Sequence, residues 1–187
     1  FVYPGYEHHV LANVYPELTE QIITCTAPSK TFNLAGMAIS NIIIADPVLR
    51  QKFQAEIMQV RGDMIGALGF KACELAYAHG EAWLDELIQV IDTNQRLVQD
   101  FFQSQFPQIK APLSEGTYLQ WVDFRALGYS NEELETFLHQ EAQFFANEGY
   151  IFGEEGSGFE RLNLALPTNI LQVQLNRRGT ALTRKGF

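Results

Sequence analysis

Apolar positions along this chain follow two rhythms, and the switches between them mark out the elements. QIITCT, Gln21 to Thr26, and MAISNIII, Met37 to Ile44, are short apolar runs without helical spacing and read as two buried strands. The polar stretch between them contains Pro28, Ser29, Thr31 and a single cation, Lys30. Asp46 followed by Pro47 is the pairing expected of a helix cap and first turn, so a helix starts there. RGDMIGALGF reads as a loop, because Gly62, Gly66 and Gly69 break any period. FKACELAYAHG reads as a short helix closed by Gly80. A long helix then runs from Glu81 to near Pro107, with Leu84, Leu87, Ile88, Ile91, Val98, Phe101 and Phe102 recurring at helical spacing.

The last third changes pattern. GTYLQWVDF alternates as a half-buried strand does. Ser130 and Glu133 form a capping-box signature opening a helix that carries Leu134, Phe137, Leu138 and Phe145 on one face. In ERLNLAL, Arg161, Asn163 and Ala165 fall on one side of a strand and Leu162, Leu164 and Leu166 on the other, with Pro167 ending the run. A final amphipathic helix spans about Asn169 to Leu182. The order β-β-α-α-long α-β-α-β-α describes an α/β chain. It divides at about residues 93 and 94, with a helix over about 81–106 bridging the two parts.

Composition narrows the functional classes. The chain has 187 residues, 47% of them hydrophobic and 19% charged, enough for a sizeable core. Thirteen basic against twenty-two acidic residues give a net charge of -9, which argues against nucleic acid as a partner. No apolar run approaches the ~20 residues of a membrane span. Cys25 and Cys73 form no CxxC pair and read as two free, buried thiols of a reducing compartment. FVYPGYEHHV is not a signal peptide. A cytoplasmic protein, or part of one beginning within a domain, is the expectation.

Lys30 is the first residue with chemical promise. A lone lysine at a strand end commonly just carries its amine to solvent. Here Thr26, Ser29 and Thr31 bring hydroxyls near it, and Gly36 permits close backbone approach. Strand ends are where α/β folds place ligands. An amine in partly apolar surroundings becomes a nucleophile suited to a Schiff base.

TAPSKTFNLAG resembles the cofactor-lysine segment of fold-type I pyridoxal-phosphate enzymes, most closely the cystathionine β-lyase-like C–S lyase branch of the class I/II aminotransferases. FVYPGYEHHV, EGTYLQWVDFRALG and GFERLNLALP resemble further segments of that branch in the same order, so the similarity runs over essentially the whole chain. The resemblance implies the fold: the C-terminal portion of the large cofactor-binding domain (residues 1–93) plus the α+β small domain (94–187). It implies that Lys30 carries pyridoxal 5'-phosphate as a Schiff base and that Arg161 grips the α-carboxylate of an amino-acid substrate. A guanidinium suits bidentate carboxylate recognition. Ser29 is a candidate for the cofactor phosphate, although a hydroxyl there also serves a local turn. The implied activity is β-lysis of amino-acid thioethers to thiol, pyruvate and ammonia by a homodimer. An aminotransferase using the same lysine, and a fragment with no catalysis of its own, are the alternatives.

Two positions depart from the pattern. Ala27 stands where Gly or Ser is usual, and Ala38 where an arginine often is, so one phosphate contact is expected to be weaker. The family's pyridine-pairing aspartate, ring-stacking residue and glycine-rich phosphate-binding turn precede the segments matched here, as they would if this were the carboxyl-terminal half of such an enzyme. Other polar clusters carry less. His8 and His9, beside Glu7, point to opposite faces of an extended chain and are poor joint metal ligands, so no metal is expected. His79 belongs at a helix end. EGYIFGEEGSGFE is an acidic rim or connection, and Tyr118 and Trp121 read as core aromatics. Tyr3 and Tyr6 could border the cofactor.

Overall fold

The computed structural model describes residues 1–62 and 64–187. The glycine-rich loop read from the sequence includes Asp63, which lies outside the described residues. The chain forms two compact units, Glu7–Glu86 on the one hand and Phe1–Tyr6 with Leu87–Phe187 on the other. The boundary falls within the long helix, ahead of the 93/94 division read from the sequence.

The Glu7–Glu86 unit begins with a single turn, α1 (Leu11–Val14), then strand β1 (Ile23–Thr26), a four-residue helix α2 (Pro28–Thr31) and strand β2 (Asn41–Ile44). Helices α3 (Pro47–Gln59) and α4 (Ala67–His79) follow. β1 and β2 pair antiparallel, Ile23 opposite Ile44 and Thr26 opposite Asn41, with no third strand among the described residues. The expectation of two buried strands is therefore corrected: a two-stranded ribbon has no covered face of its own, and only Ile44 is buried. Cys25 is exposed for the same reason, while Cys73 is buried. The second strand is also shorter than read, because Ala35–Met37 form a 3₁₀ turn and Ala38 is left-handed at φ +48°.

Asp46 caps α3 as read, its Oδ1 accepting from Leu49 N at 2.6 Å. Gly69 does not break the chain. It lies inside α4 because α4 turns a face of small residues inward, Gly69, Ala72, Cys73 and Ala76. A Cβ on Gly69 would stand 2.6 Å from the Met37 carbonyl oxygen, so the backbone after Lys30 approaches this helix more closely than any side chain permits.

The other unit is built on α5 (Glu81–Gln105), whose Ile91, Val98, Phe101 and Phe102 enter the core as their spacing predicts. Strands β3 (Leu119–Asp123), β4 (Asn147–Glu148) and β5 (Phe159–Asn163) form an antiparallel sheet in the order β3-β5-β4. Between them come α6 (Asn131–Thr136), opened by the Ser130–Glu133 capping box, and a π turn over Phe137–Glu141; α7 (Thr168–Arg184) ends the chain. Leu162, Leu164, Leu171, Leu175 and Leu182 join the α5 residues in one cluster, where Phe102 meets Phe101 and Phe124 edge-on.

Two aromatic expectations change here. Phe145 is 76% exposed and Phe144 is buried, because the wider π turn and left-handed Gln143 (φ +50°) shift the inward position by one residue. Trp121 lies on the uncovered face of the sheet, while Tyr118 is half-buried edge-on against Phe1. The first residues join this core: Tyr3 N donates to Glu115 O at 3.0 Å and Tyr3 OH to Thr117 O at 2.6 Å. Burial, with the charge of Asp92, pushes the Tyr3 phenol up to about 12. Tyr3 is a structural residue of this unit, and Tyr6 is exposed. Among the described residues no helix is long and apolar enough to cross a membrane.

Candidate functional site

Lys30 sits in α2, one residue after Ser29 and four after the end of β1. The sequence suggested a loop; Pro28 at the first helical position, with its φ already set, makes it a helical turn instead. Phe32 N donates to Pro28 O at 2.9 Å and Leu34 N to Ser29 O at 3.0 Å, closing the turn. Phe32 then anchors it against α4 and the start of α5, edge-on to Tyr77 at 5.6 Å and tilted against Trp83 at 6.2 Å. Gly80 leaves room for this ring, since a Cβ there would stand 2.5 Å from Phe32 Cε1. The backbone around the lysine is thus tied to the helices on its far side.

The Lys30 side chain itself is exposed, and its amine makes no hydrogen bond or ion pair among the described residues. The partly apolar enclosure expected for it is not built by its neighbours, because the ribbon beside it is uncovered. Ser29 is half-buried and Thr31 likewise. A primary amine with no partner and a neighbouring hydroxyl are the groups an aldehyde-bearing, phosphorylated cofactor takes up, and they fit pyridoxal phosphate. Ala38, eight residues on, is exposed and offers no phosphate donor beyond its backbone.

Arg161 is built quite differently. It is the middle residue of β5, and the register sets Trp121 of β3 on one side of it and Asn147 of β4 on the other. Its Nη2 donates to Asn147 Oδ1 at 2.9 Å, and its guanidinium lies over the Phe152 ring at 4.2 Å. Ring stacking and a side-chain amide together fix the plane of the fork. Its Nε is buried and has no partner, a donor left unspent. Trp121, Phe152, Glu155, Gly156 and Phe159 line a shallow hollow of about 330 Å³ beside it. The alternation of ERLNLAL correctly separates Arg161 from the buried leucines. Asn147 and Phe152 escaped the sequence reading, since a two-residue strand and a 3₁₀ turn inside an acidic connection leave no periodic signal.

Ser29 and Lys30 are neighbours in the Glu7–Glu86 unit, whereas Arg161 belongs to the other unit. Glu7, His8 and His9 are exposed. His79 is the last residue of α4, as read.

No family model matches the chain. It is 36% identical over 179 residues to cystathionine beta-lyase PatB of Bacillus subtilis, covering 96% of this chain and 46% of PatB. It is 32% identical over 185 residues to a cystathionine beta-lyase of Corynebacterium glutamicum, covering 97% of this chain and 48% of that one. Among solved structures it matches cystalysin from Treponema denticola, whose crystal structure contains pyridoxal 5'-phosphate. The TM-score is 0.90 and the identity 50%, over 98% of this chain and 46% of that one. The chain spans about half the length of the curated relatives it matches.

Proposed function

From a chain that belongs to the fold-type I pyridoxal-phosphate superfamily, in its cystathionine β-lyase-like C–S lyase branch, and that spans about half the length of its relatives, we infer a part in carbon–sulfur β-lysis. The substrate class is an amino-acid thioether, released as thiol, pyruvate and ammonia. The observation that carries this reading is the unpartnered Lys30 amine, held on a turn whose backbone is fixed by Phe32 and α4.

Bound pyridoxal phosphate supplies an electron sink for the charge that develops at the substrate Cα. The residues here supply the rest. Lys30 would hold the cofactor through its aldehyde, and its amine would serve as the general base for the Cα proton. Ser29 would donate its hydroxyl to the cofactor phosphate. Arg161 receives the substrate carboxylate, its buried Nε and its remaining guanidinium nitrogens being the donors not spent on Asn147. The assembly proposed is a homodimer, as the resemblance implies.

Borohydride reduction of the pyridoxal-phosphate-loaded protein, followed by peptide mapping, tests the central assignment. The expected result is a pyridoxyl label on the peptide containing Lys30; a label on any other lysine overturns it. Lys30→Ala should lower pyruvate release from a thioether substrate by roughly 10³-fold or more. Product formation that requires an added keto acid would instead identify an aminotransferase.

A further inference from the structure

Three buried side-chain amides stand behind the strands that carry Arg161 and its neighbour Trp121. Asn94 and Gln95 are consecutive on α5, and Gln120 lies on β3 as the register partner of Leu162. None of the three is more than 1% exposed. Asn94 comes three residues after Ile91 and four before Val98, both fully buried, so it occupies the apolar stripe of α5. A leucine is the ordinary choice at such a place, because a polar group there costs free energy unless its partners are supplied.

The bonds of Asn94 go to the exit of β5. Its Nδ2 donates to Leu164 O at 2.9 Å and to Leu166 O at 2.8 Å, which uses both amide hydrogens. β5 ends at Asn163, so these carbonyls belong to the residues that follow it directly. The exit is a tight one: Leu166 N donates to Leu164 O at 2.9 Å, and Asn163 Oδ1 accepts from Ala165 N at 2.9 Å. Leu164 N donates to Tyr118 O at 2.8 Å and so ties it to the start of β3.

The other two amides tie the entry of β3 to the same turn of α5. Gln95 Oε1 accepts from Ser114 N at 2.9 Å, and Gln120 Nε2 donates to Gln95 O at 3.3 Å and to Pro112 O at 3.1 Å. Leu119 pairs with Asn163, so the entry of β3 and the exit of β5 lie side by side. One turn of α5 therefore grips both central strands at one end.

This grip is not the cheapest core. Asn94 Oδ1 and Gln120 Oε1 are buried without a partner among the described residues. An apolar side chain at either position leaves no such orphan. Buried amides that leave acceptors unspent give up stability and return a fixed arrangement of the elements they join. Arg161 lies three residues before Leu164, roughly 10 Å along the strand. Phe152 and Asn147 set the plane of its guanidinium; Asn94 sets where the backbone beneath it stands against α5.

We propose that Asn94 is a positioning residue for Arg161, acting through the Leu164 and Leu166 carbonyls. Its functional consequence rests on the reading of Arg161 as the grip for the substrate carboxylate, whereas its structural consequence does not.

The test compares Asn94→Leu with Asn94→Ala in the holoenzyme, by kinetics and by hydrogen exchange of the peptide containing β5. Leucine branches at the same carbon as asparagine; alanine adds no bulk and carries the test if leucine overfills the site and the protein does not fold. In both variants KM for the thioether substrate should rise by roughly 10-fold or more, with kcat less affected, as misplacement of a binding group does. Exchange of the β5 peptide should quicken by roughly 10-fold, as expected when a local hydrogen-bonded anchor is lost. Val98→Ala is the structural control, since it empties core volume on the same helix and carries none of these bonds. It should lower the urea midpoint and leave KM as it was. Wild-type exchange in both Asn94 variants overturns the proposal. A KM unchanged in them while Arg161→Lys raises it does so too, as does a KM raised equally by Val98→Ala. If Arg161→Lys itself leaves KM unchanged, the carboxylate reading has failed, and the exchange result alone decides whether Asn94 positions the strand.

Discussion

The Glu7–Glu86 unit is at least as apolar in sequence as the other, yet the two bury their apolar residues to very different extents. In the unit containing α5 to α7, a single cluster takes in residues from every major element, from Tyr3 to Leu182. Among the described residues of the Glu7–Glu86 unit the buried apolar side chains are Pro28, Ile44 and Cys73, while Leu68, Met58, Phe70, Val60 and Ile43 stand more than half exposed. Its helices are nonetheless well made, with α3 capped by Asp46 and α4 packed close through its glycines. Caps and backbone contacts are satisfied locally, whereas apolar surface needs something laid over it. Exposed apolar side chains in such number mark surface that the unit does not cover by itself. The same contrast separates the two candidate side chains. Arg161 is clamped by Phe152 and Asn147 from its own unit, and Lys30 is held only through its backbone.

The sharpest way to break this contrast is to remove one large ring from each unit. Phe102 is fully buried between Phe101 and Phe124. Phe102→Ala should cost about 3–5 kcal/mol, from lost burial plus the cavity left behind, read from the urea midpoint. Phe70, exposed on α4, should change stability by no more than about 0.5 kcal/mol when made alanine in the same 187-residue chain. A Phe70→Ala cost near that of Phe102→Ala would mean that its ring is covered in solution and that the units do not differ as described.

The next effect bears on the clamped side chain. Arg161→Lys keeps the charge but loses the planar fork, the stack on Phe152 and the Asn147 bond. In the holoenzyme, kcat/KM for the thioether substrate should fall by roughly 10²-fold, chiefly through KM. Asn147→Ala should act in the same direction and less strongly, since Phe152 still orients the guanidinium. If Arg161→Lys leaves KM unchanged, the carboxylate is gripped elsewhere, and a clamp without a substrate would be structural.

How far these features could be read in advance follows from the same distinction. The α5 face, the alternation that separates Arg161 from Leu162, the Asp46 cap and the Ser130 box are signals carried within a few residues, and each is present in the fold. Lys30 was singled out by its position between two apolar runs, and its place at a strand end is as read. Its helical turn was masked because Pro28 also reads as a loop residue. The burial of β1 was misjudged because an apolar run states a preference for cover and does not state whether cover is present. Phe144 and Phe145 exchanged places because a π turn has no sequence period to announce it. Gly69 looked like a breaker because its reason, the Met37 carbonyl, is thirty-two positions away. The contacts of His139 with Glu135 of α6 and Glu148 of β4 join a helix and the turn after it to a two-residue strand, a relation that only the folded chain displays.

Helix capping is where the two units should agree. Ser130 Oγ accepts from Glu133 N at 3.2 Å, and Glu133 Oε2 accepts from Ser130 N at 2.8 Å. That backbone bond holds the Glu133 carboxyl below its usual range. In the other unit, Asp46 does the same service for α3. A cap satisfies amides of its own first turn, so its worth depends little on what covers the rest of the unit. Ser130→Ala and Asp46→Ala should each cost about 1 kcal/mol by urea unfolding. Near-equal costs would confine the difference between the units to side-chain burial. A cost for Ser130→Ala with none for Asp46→Ala would mean that α3 is not coupled to the unfolding step at all. The Glu7–Glu86 unit would then lack cooperative structure as well as a core.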